Sequence, residues 1–253
     1  MSDIEINIIS FLAVVVLGTV IQTVTGFAIG LVIMAGVAVF DITDIPFAAA
    51  VISFVSLTNA LAALRKGHRH IDWHYVKWIL AGVMPAMVVG LAALSWLSTN
   101  SYLALKLILG TVIVLAGTSL LIAPSPFRLP SGKIAAVTCG MTGGLIAGLY
   151  SAGGAPLAYF MYRQPVEINI IRFSLLAIFA GITGARTVML GVSGQMTLDI
   201  LKVSAVTIPL VIVVTLLSSK YLLGLPDRFV RLLVFIVMIG VGGFLVIDSA
   251  FRL

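Results

Sequence analysis

"IQTVTGFAIG" occupies residues 21–30, inside a run from Ile6 to Phe40 that has no charged side chain. A soluble domain carries roughly a quarter of its residues as Asp, Glu, Lys and Arg. This 253-residue chain carries 9%, against 61% hydrophobic residues. Apolar runs long enough to cross a bilayer as helices recur from one end to the other, so the fold class is all-α and polytopic. The glutamine, threonines and glycines of the quoted stretch therefore lie in hydrocarbon, where each polar group needs a partner. They serve either helix packing or binding, and the rest of the chain bears on which.

Composition excludes several function classes. A secretory signal needs a basic leader, but the chain starts with the acidic Asp3 and Glu5, so no cleavable targeting segment is expected. The net charge is +6, yet the basic residues gather in particular loops. The excess therefore speaks to orientation, and no nucleic-acid partner is expected. One cysteine, Cys139, cannot form an intrachain disulfide, and no Cys/His cluster offers a redox centre. Burial as a small apolar residue accounts for it.

Helical segments are expected near 4–24, 26–40, 46–65, 74–97, 101–123, 134–151, 154–163, 170–190, 199–219 and 228–250. That makes about ten segments in two sets of five, with 1–123 an N-terminal membrane repeat, 124–133 a cytoplasmic linker and 134–253 a C-terminal membrane repeat. The runs at 26–40 and 154–163 are short, as for incomplete or tilted partners of the segments before them. Loop charge gives the orientation. Arg65, Lys66, Arg69 and Lys77 surround one connection, Arg128 and Lys133 another, Arg163 and Arg172 a third, and Lys220, Arg228 and Arg231 a fourth. The alternate connections, marked by Asp41 and Asp44, by Ser98 to Ser101 and by Ser193 to Asp199, are nearly free of Lys and Arg. This alternation predicts both termini outside a bacterial cytoplasmic membrane.

The two sets resemble each other. "DITDIPF" at 41–47 matches "EINIIRF" at 167–173, and "LKLILGTVIVLAGTSLLI" at 105–122 matches "VRLLVFIVMIGVGGFLVI" at 230–247. Pro85 and Pro209 fall in corresponding helices. Five segments per copy make the second enter from the opposite side, which is an inverted-topology repeat. Two similar halves of opposite orientation form one midplane site and open it alternately to each side, so the architecture belongs mainly to transporters.

Gly18, Gln22, Gly26 and Gly30 recur at helical spacing, as do Gly140, Gly144 and Gly148 before "YSAGGAP" at 150–156. Close helix packing explains such ladders. The helix should break near Thr25-Gly26 and again near Gly153-Gly154, and interrupted backbone inside a membrane is buried in protein or lines a cavity. Helix N-termini at two corresponding breaks would offer amide N–H groups to an anion. Gln22, Thr23, Thr25 and Ser151 add neutral hydrogen-bonding groups, although Thr23 can also bond its own helix backbone.

Arg186 lies midway between the basic loop at 172 and the acidic loop at 199, at a depth where a cation needs a partner or an aqueous cavity. No acidic residue in the membrane runs is an obvious partner, whereas an anionic substrate would be one. Asn59 falls at nearly the equivalent place in the first copy; an interhelical hydrogen bond is its plainer explanation. His68, His70 and His74, with Asp72 between, form a metal-like spacing, but Trp73, Tyr75 and Trp78 beside them mark a membrane-interface belt, so no metal site and no cofactor are expected. Ser151 would need a nearby base to act as a nucleophile, and every histidine lies in that one remote loop, so an enzyme is not expected.

"GTVIQTVTGFAIGLVIM" at 18–34 and "GGLIAGLYSAGGAPLAYFMY" at 143–162, followed by "INIIRFSLL", resemble the two repeat signatures of the TauE/SafE sulfite exporter family, also called the toluene sulfonate uptake permeases. The resemblance covers essentially the whole chain. It implies transport of a small sulfur-containing anion such as sulfite, sulfoacetate or another organosulfonate. It places the family's breaks at Gly26-Phe27 and Gly153-Gly154 and its post-break arginine at Arg172. Two positions depart from the common pattern: Ala28 where relatives often carry glycine, and Ala155 where many carry proline. The expected substrate-binding set is thus Gln22, Thr23, Thr25, Gly26, Phe27, Asn59, Ser151, Gly153, Gly154, Arg172 and Arg186, with the first group facing Ser151, Gly153 and Gly154 across a cavity. The expected partners are a small anionic substrate and the lipid bilayer. A homodimer and the coupling ion, proton or sodium, stay open, and a passive anion channel or membrane scaffold is the alternative.

Overall fold

Glycine contacts between helices position everything else. The structure, a computed structural model, describes residues 8–65, 67–121, 126–221 and 227–251. Asp3, Glu5 and Lys66, cited above for targeting and orientation, lie outside the described residues, as do the side chains of Arg228 and Arg231. Among the described residues ten α-helices follow in order: α1 (Ile8–Thr25), α2 (Ile29–Val39), α3 (Ile45–Leu64), α4 (Trp73–Asn100), α5 (Tyr102–Leu121), α6 (Lys133–Tyr150), α7 (Gly154–Tyr162), α8 (Ile168–Val192), α9 (Leu198–Tyr221) and α10 (Asp227–Phe251). Each matches an expected segment to within a few residues. No strand occurs among the described residues.

Local chemistry sets the ends. Pro46 in the first turn of α3 supplies a preset φ after the extended Asp44. The Asp72 carboxylate accepts from the amides of His74 at 2.9 Å and Tyr75 at 3.4 Å, capping α4. Pro85 and Pro209 sit inside α4 and α9. Seven helices among the described residues are long and apolar enough to cross a membrane, and the protein is a multi-pass membrane protein. Leu115, Val188, Val206 and Phe244 face outward, as residues in contact with lipid do. With 11 and 9 residues, α2 and α7 are roughly 14–17 Å long and reach only about halfway through a ~30 Å hydrocarbon core.

The second glycine ladder is packing. A Cβ on Gly140, Gly144 or Gly148 would fall 2.1, 2.5 or 2.4 Å from the carbonyl oxygens of Ile79, Val83 and Met87 on α4. From the other side, Gly82 and Gly90 meet the carbonyls of Val137 and Leu145 just as closely. The α4 and α6 backbones are therefore in direct contact, which only glycine permits. Gly144→Val is expected to cost about 1–3 kcal/mol by overpacking; a thermal-melting midpoint equal to the parent protein's would show that the helices do not meet there.

Most of the larger helix contacts form a regular set. α1 packs on α2 and α9, α6 on α7 and α4, α3 on α8 and α9, and α8 on α4; α2 touches α10, α7 touches α5, and α5 packs on α10. Exchanging each helix for the one five places along leaves this set unchanged. Lys106, one turn into α5, pairs with Asp41 of the α2–α3 loop, which neutralises a cation on the side expected to be poor in them.

Candidate functional site

Both breaks are present, and they touch. α1 ends at Thr25, and Gly26 and Ala28 follow in left-handed conformations with φ of +87° and +82°. The Thr25 hydroxyl lies 2.8 Å from the Ile21 carbonyl oxygen and 3.0 Å from that of Phe27, stitching helix to turn. Because α1 stops here, Gly30 belongs to α2, and the apparent ladder from Gly18 to Gly30 is split between two helices. The second break opens two residues before Gly153. Ser151, with φ of +54°, takes the left-handed position after α6 and donates its amide to the Ala147 carbonyl at 2.9 Å.

A Cβ on Gly30 would fall 2.2 Å from the Ser151 carbonyl oxygen, and one on Gly154 3.5 Å from the Ala28 amide nitrogen. The Tyr162 hydroxyl donates to the Thr25 carbonyl at 3.0 Å. These contacts run in antiparallel order, so the N-termini of the half-helices α2 and α7 abut. Their positive dipole ends converge on one place.

Gln22, Thr23, Thr25, Gly26 and Phe27 do not, however, face Ser151, Gly153 and Gly154 across an open space. Aromatic rings fill the junction: Phe27 is wholly buried, edge-on to Tyr162 at 6.1 Å, and Phe179 Cζ lies 3.0 Å from where a Gly154 Cβ would sit. None of these eight residues lines a described cavity.

The buried polar groups form a line along α3. Ser53, Ser56 and Asn59 recur at intervals of three and share one face. The Ser53 hydroxyl meets the Ser151 hydroxyl at 3.1 Å, Gln22 Nε2 reaches toward Ser56 Oγ at 3.5 Å, and Asn59 Nδ2 donates to Thr23 Oγ1 at 2.7 Å and Thr215 Oγ1 at 2.8 Å. Thr23 in turn donates to the Thr19 carbonyl at 2.7 Å, so it bonds its own backbone and serves Asn59 as acceptor. Gln22 Oε1 and Asn59 Oδ1 are buried without a partner, a state that costs about 1–3 kcal/mol per group. Ser53, Ser56 and Thr215 were not singled out from sequence. The i, i+3, i+6 polar spacing in an otherwise apolar helix was the signal for the first two.

α8 carries two buried arginines. Arg172 donates from Nη2 to the Thr23 carbonyl, and its backbone lies against Gly26, where a Cβ would come within 3.0 Å of the Arg172 carbonyl oxygen. Arg186 donates from Nη1 to the carbonyls of Ala147 and Gly148 in the last turns of α6. Each arginine thus clasps the C-terminal end of one broken helix, where the dipole favours a cation. Asn59 and Arg186 do not share a partner.

Arg186 differs in one respect. It is 0% exposed, its Nε and Nη2 have no partner, and no Asp or Glu is buried among the described residues. It also lines a cavity of about 630 Å3 together with Phe47 and Ala50 of α3 and Leu94 of α4, with Asp44 and Asp199 among the acidic connections at its edge. Ala50 lies one turn from Ser53, so the cavity leads toward the Ser53–Ser151 contact. A guanidinium with two unmatched nitrogens has donors to offer an oxyanion.

The histidines lie elsewhere. His68 and His70 form a 3-10 turn, His70 stacks on Phe173 at 5.8 Å, and His74 meets Tyr75 edge-on at 5.8 Å. No group of three or more His, Cys, Asp or Glu side chains converges among the described residues.

Comparison with known proteins gives the same direction. A family model described as "Sulfite exporter TauE/SafE" matches residues 10–245. A protein of Cupriavidus necator named "Probable sulfite/organosulfonate exporter TauE" is 33% identical over 232 residues, covering 92% of this chain and 91% of the relative.

Proposed function

We propose that this chain, which belongs to the sulfite exporter TauE/SafE family, is a secondary transporter that carries a small sulfur-containing anion across the cytoplasmic membrane by alternating access. Its family is one of exporters, so the chain is a membrane transporter and not an enzyme. The observation that carries the finer reading is Arg186, wholly buried, unmatched at two nitrogens and lining a cavity that reaches Ala50, one turn from Ser53. A sulfite or sulfonate group presents the paired oxygens a guanidinium recognises. The relative's name supports that substrate class and the outward direction.

The site is the Arg186 recess together with the abutting N-termini of α2 and α7, with Gln22, Thr23, Asn59 and Ser151 along the line of buried polar groups. Inverted topology, with a division near 124–133, is supported by the matched segments and by helix neighbours that survive exchange of the two sets. Both termini outside follows from loop charge. With no buried carboxylate among the described residues, a carboxylate proton relay lacks a carrier.

Liposomes preloaded with sulfite or sulfoacetate test this reading. A carrier gives saturable uptake stimulated by substrate on the far side, whereas a channel gives uptake without that stimulation and a scaffold gives no uptake. A thermal-stability screen of the purified protein adds the substrate class: stabilisation by a carboxylate analogue and by no sulfur oxyanion would exclude the class named here.

A further inference from the structure

Arg163 ends α7 at the end of the bundle where Arg128 and Lys133 lie. Its carbonyl accepts from the Phe127 amide at 2.7 Å, and its guanidinium lies 4.0 Å from the Phe127 ring centroid and 5.6 Å from that of Tyr159. Nη1 donates to the Tyr159 hydroxyl at 3.1 Å, while Nε is buried without a partner. The same arginine stands at the polar end of a cavity of about 590 Å3 that is otherwise almost wholly apolar.

This cavity is a cleft in the side of the bundle. α5 and α6 both pack on α7, and nine-residue α7 is too short to cover the full length between them. Leu115, Ile146, Pro156 and Phe160 line it, and Leu115 is 63% exposed. Its charge environment is one-sided. No Asp or Glu occurs between residues 73 and 166, a stretch that contains Lys77, Arg128, Lys133 and Arg163, while its Lys106 is paired with Asp41 at the opposite side. A partly buried cation at the end of a long apolar cleft, with no carboxylate on the flanking helices, matches an amphiphilic anion. Basic pockets between helices at the positive end of a membrane protein are recognised by anionic lipid headgroups in this way.

We propose that the cleft binds an anionic phospholipid, with its headgroup phosphate on Arg163 beside Arg128 and Lys133 and an acyl chain along α5, α6 and α7. The chain lies against Pro156, two residues from Gly154, so an occupied cleft braces the half-helix whose N-terminus forms the break junction. Lipid composition then tunes the stability of the transporter through α7.

The test is thermal unfolding of the full chain in detergent with added phosphatidylglycerol, phosphatidylcholine or inorganic phosphate, paired with native mass spectrometry. A ligand that binds the folded state stabilises it by RT ln(1 + [L]/Kd), so the melting midpoint rises with ligand concentration. Phosphatidylglycerol should raise it by several degrees more than phosphatidylcholine, with a retained lipid mass. Arg163→Gln should erase that difference, Arg163→Lys should restore much of it, and Leu115→Trp, which fills the cleft, should erase it with the arginine intact. Equal stabilisation by the two lipids, or an undiminished difference in either Arg163→Gln or Leu115→Trp, overturns the proposal. So does an equal shift from inorganic phosphate alone, which would mean a free-anion site, or a dimer mass that excludes the lipid, which would give the cleft to a second copy.

Discussion

Arg186→Gln is expected to lower substrate flux by more than about a hundred-fold while leaving a folded, membrane-inserted protein. Two charge-assisted hydrogen bonds from Nε and Nη2 to an oxyanion are worth about 1.5–3 kcal/mol each. Their loss, together about 3–6 kcal/mol, weakens binding by two orders of magnitude or more. The variant also tests the second role of this side chain, because Nη1 clasps the Ala147 and Gly148 carbonyls. Glutamine keeps one amide donor for those carbonyls but has no charge, so the α6 end stays partly satisfied while the anion receptor disappears. Arg186→Lys keeps the charge and loses the planar fork, and should fall between the two. The decisive pair of readings is flux in liposomes and substrate-induced thermal stabilisation. If Arg186→Gln retains both, Arg186 is a helix clasp alone and the anion binds elsewhere.

The limits of what the sequence could say follow from what these side chains do. The ten segments were legible because hydrocarbon demands long apolar runs, and Pro46, Gly26 and "YSAGG" interrupt them by backbone geometry that any single sequence displays. The contact of the two breaks was legible in outline, since both fall at corresponding places in similar halves. Its aromatic packing was not. Phe27 and Phe179 fill the space, and one comes from the break while the other comes from α8, a pairing that no local pattern encodes. The partners of Arg172 and Arg186 were hidden for a related reason: both bind main-chain carbonyls, which have no residue identity and leave no mark in a sequence. Ser53 and Ser56 were passed over because serine in a membrane helix ordinarily bonds its own backbone, as Ser53 also does to the Ala49 carbonyl at 2.9 Å. Their role depends on what stands opposite, Ser151 and Gln22, and that is tertiary information.

Gly30→Ala is expected to be the most damaging single-methyl change at the junction of the two breaks. The added Cβ would sit 2.2 Å from the Ser151 carbonyl oxygen and 3.0 Å from both the Ser151 carbonyl carbon and the Ala152 Cα. All three are backbone atoms, so no side-chain rotation relieves the clash, and the first turn of α2 must lift away from the second break. Overpacking of this kind costs about 1–3 kcal/mol, and at roughly 2–4 °C per kcal/mol for a chain of this size the melting midpoint should fall by several degrees. Flux should fall further than stability does, because the displaced element is the N-terminus of α2, one of the two dipole ends that converge on the junction. Two other glycines separate this local effect from a general intolerance of alanine. Gly18 meets mainly the side chains of Ile29 and Ile33 at 3.1–3.2 Å, which can yield by a few tenths of an ångström, and Gly132 has nothing within 4 Å. Gly18→Ala should therefore cost less than Gly30→Ala, and Gly132→Ala should be neutral in both readings. A Gly30→Ala protein with parental melting midpoint and parental flux would mean that the two breaks are apart in the working transporter, and the substrate would then pass between them with α2 and α7 acting independently.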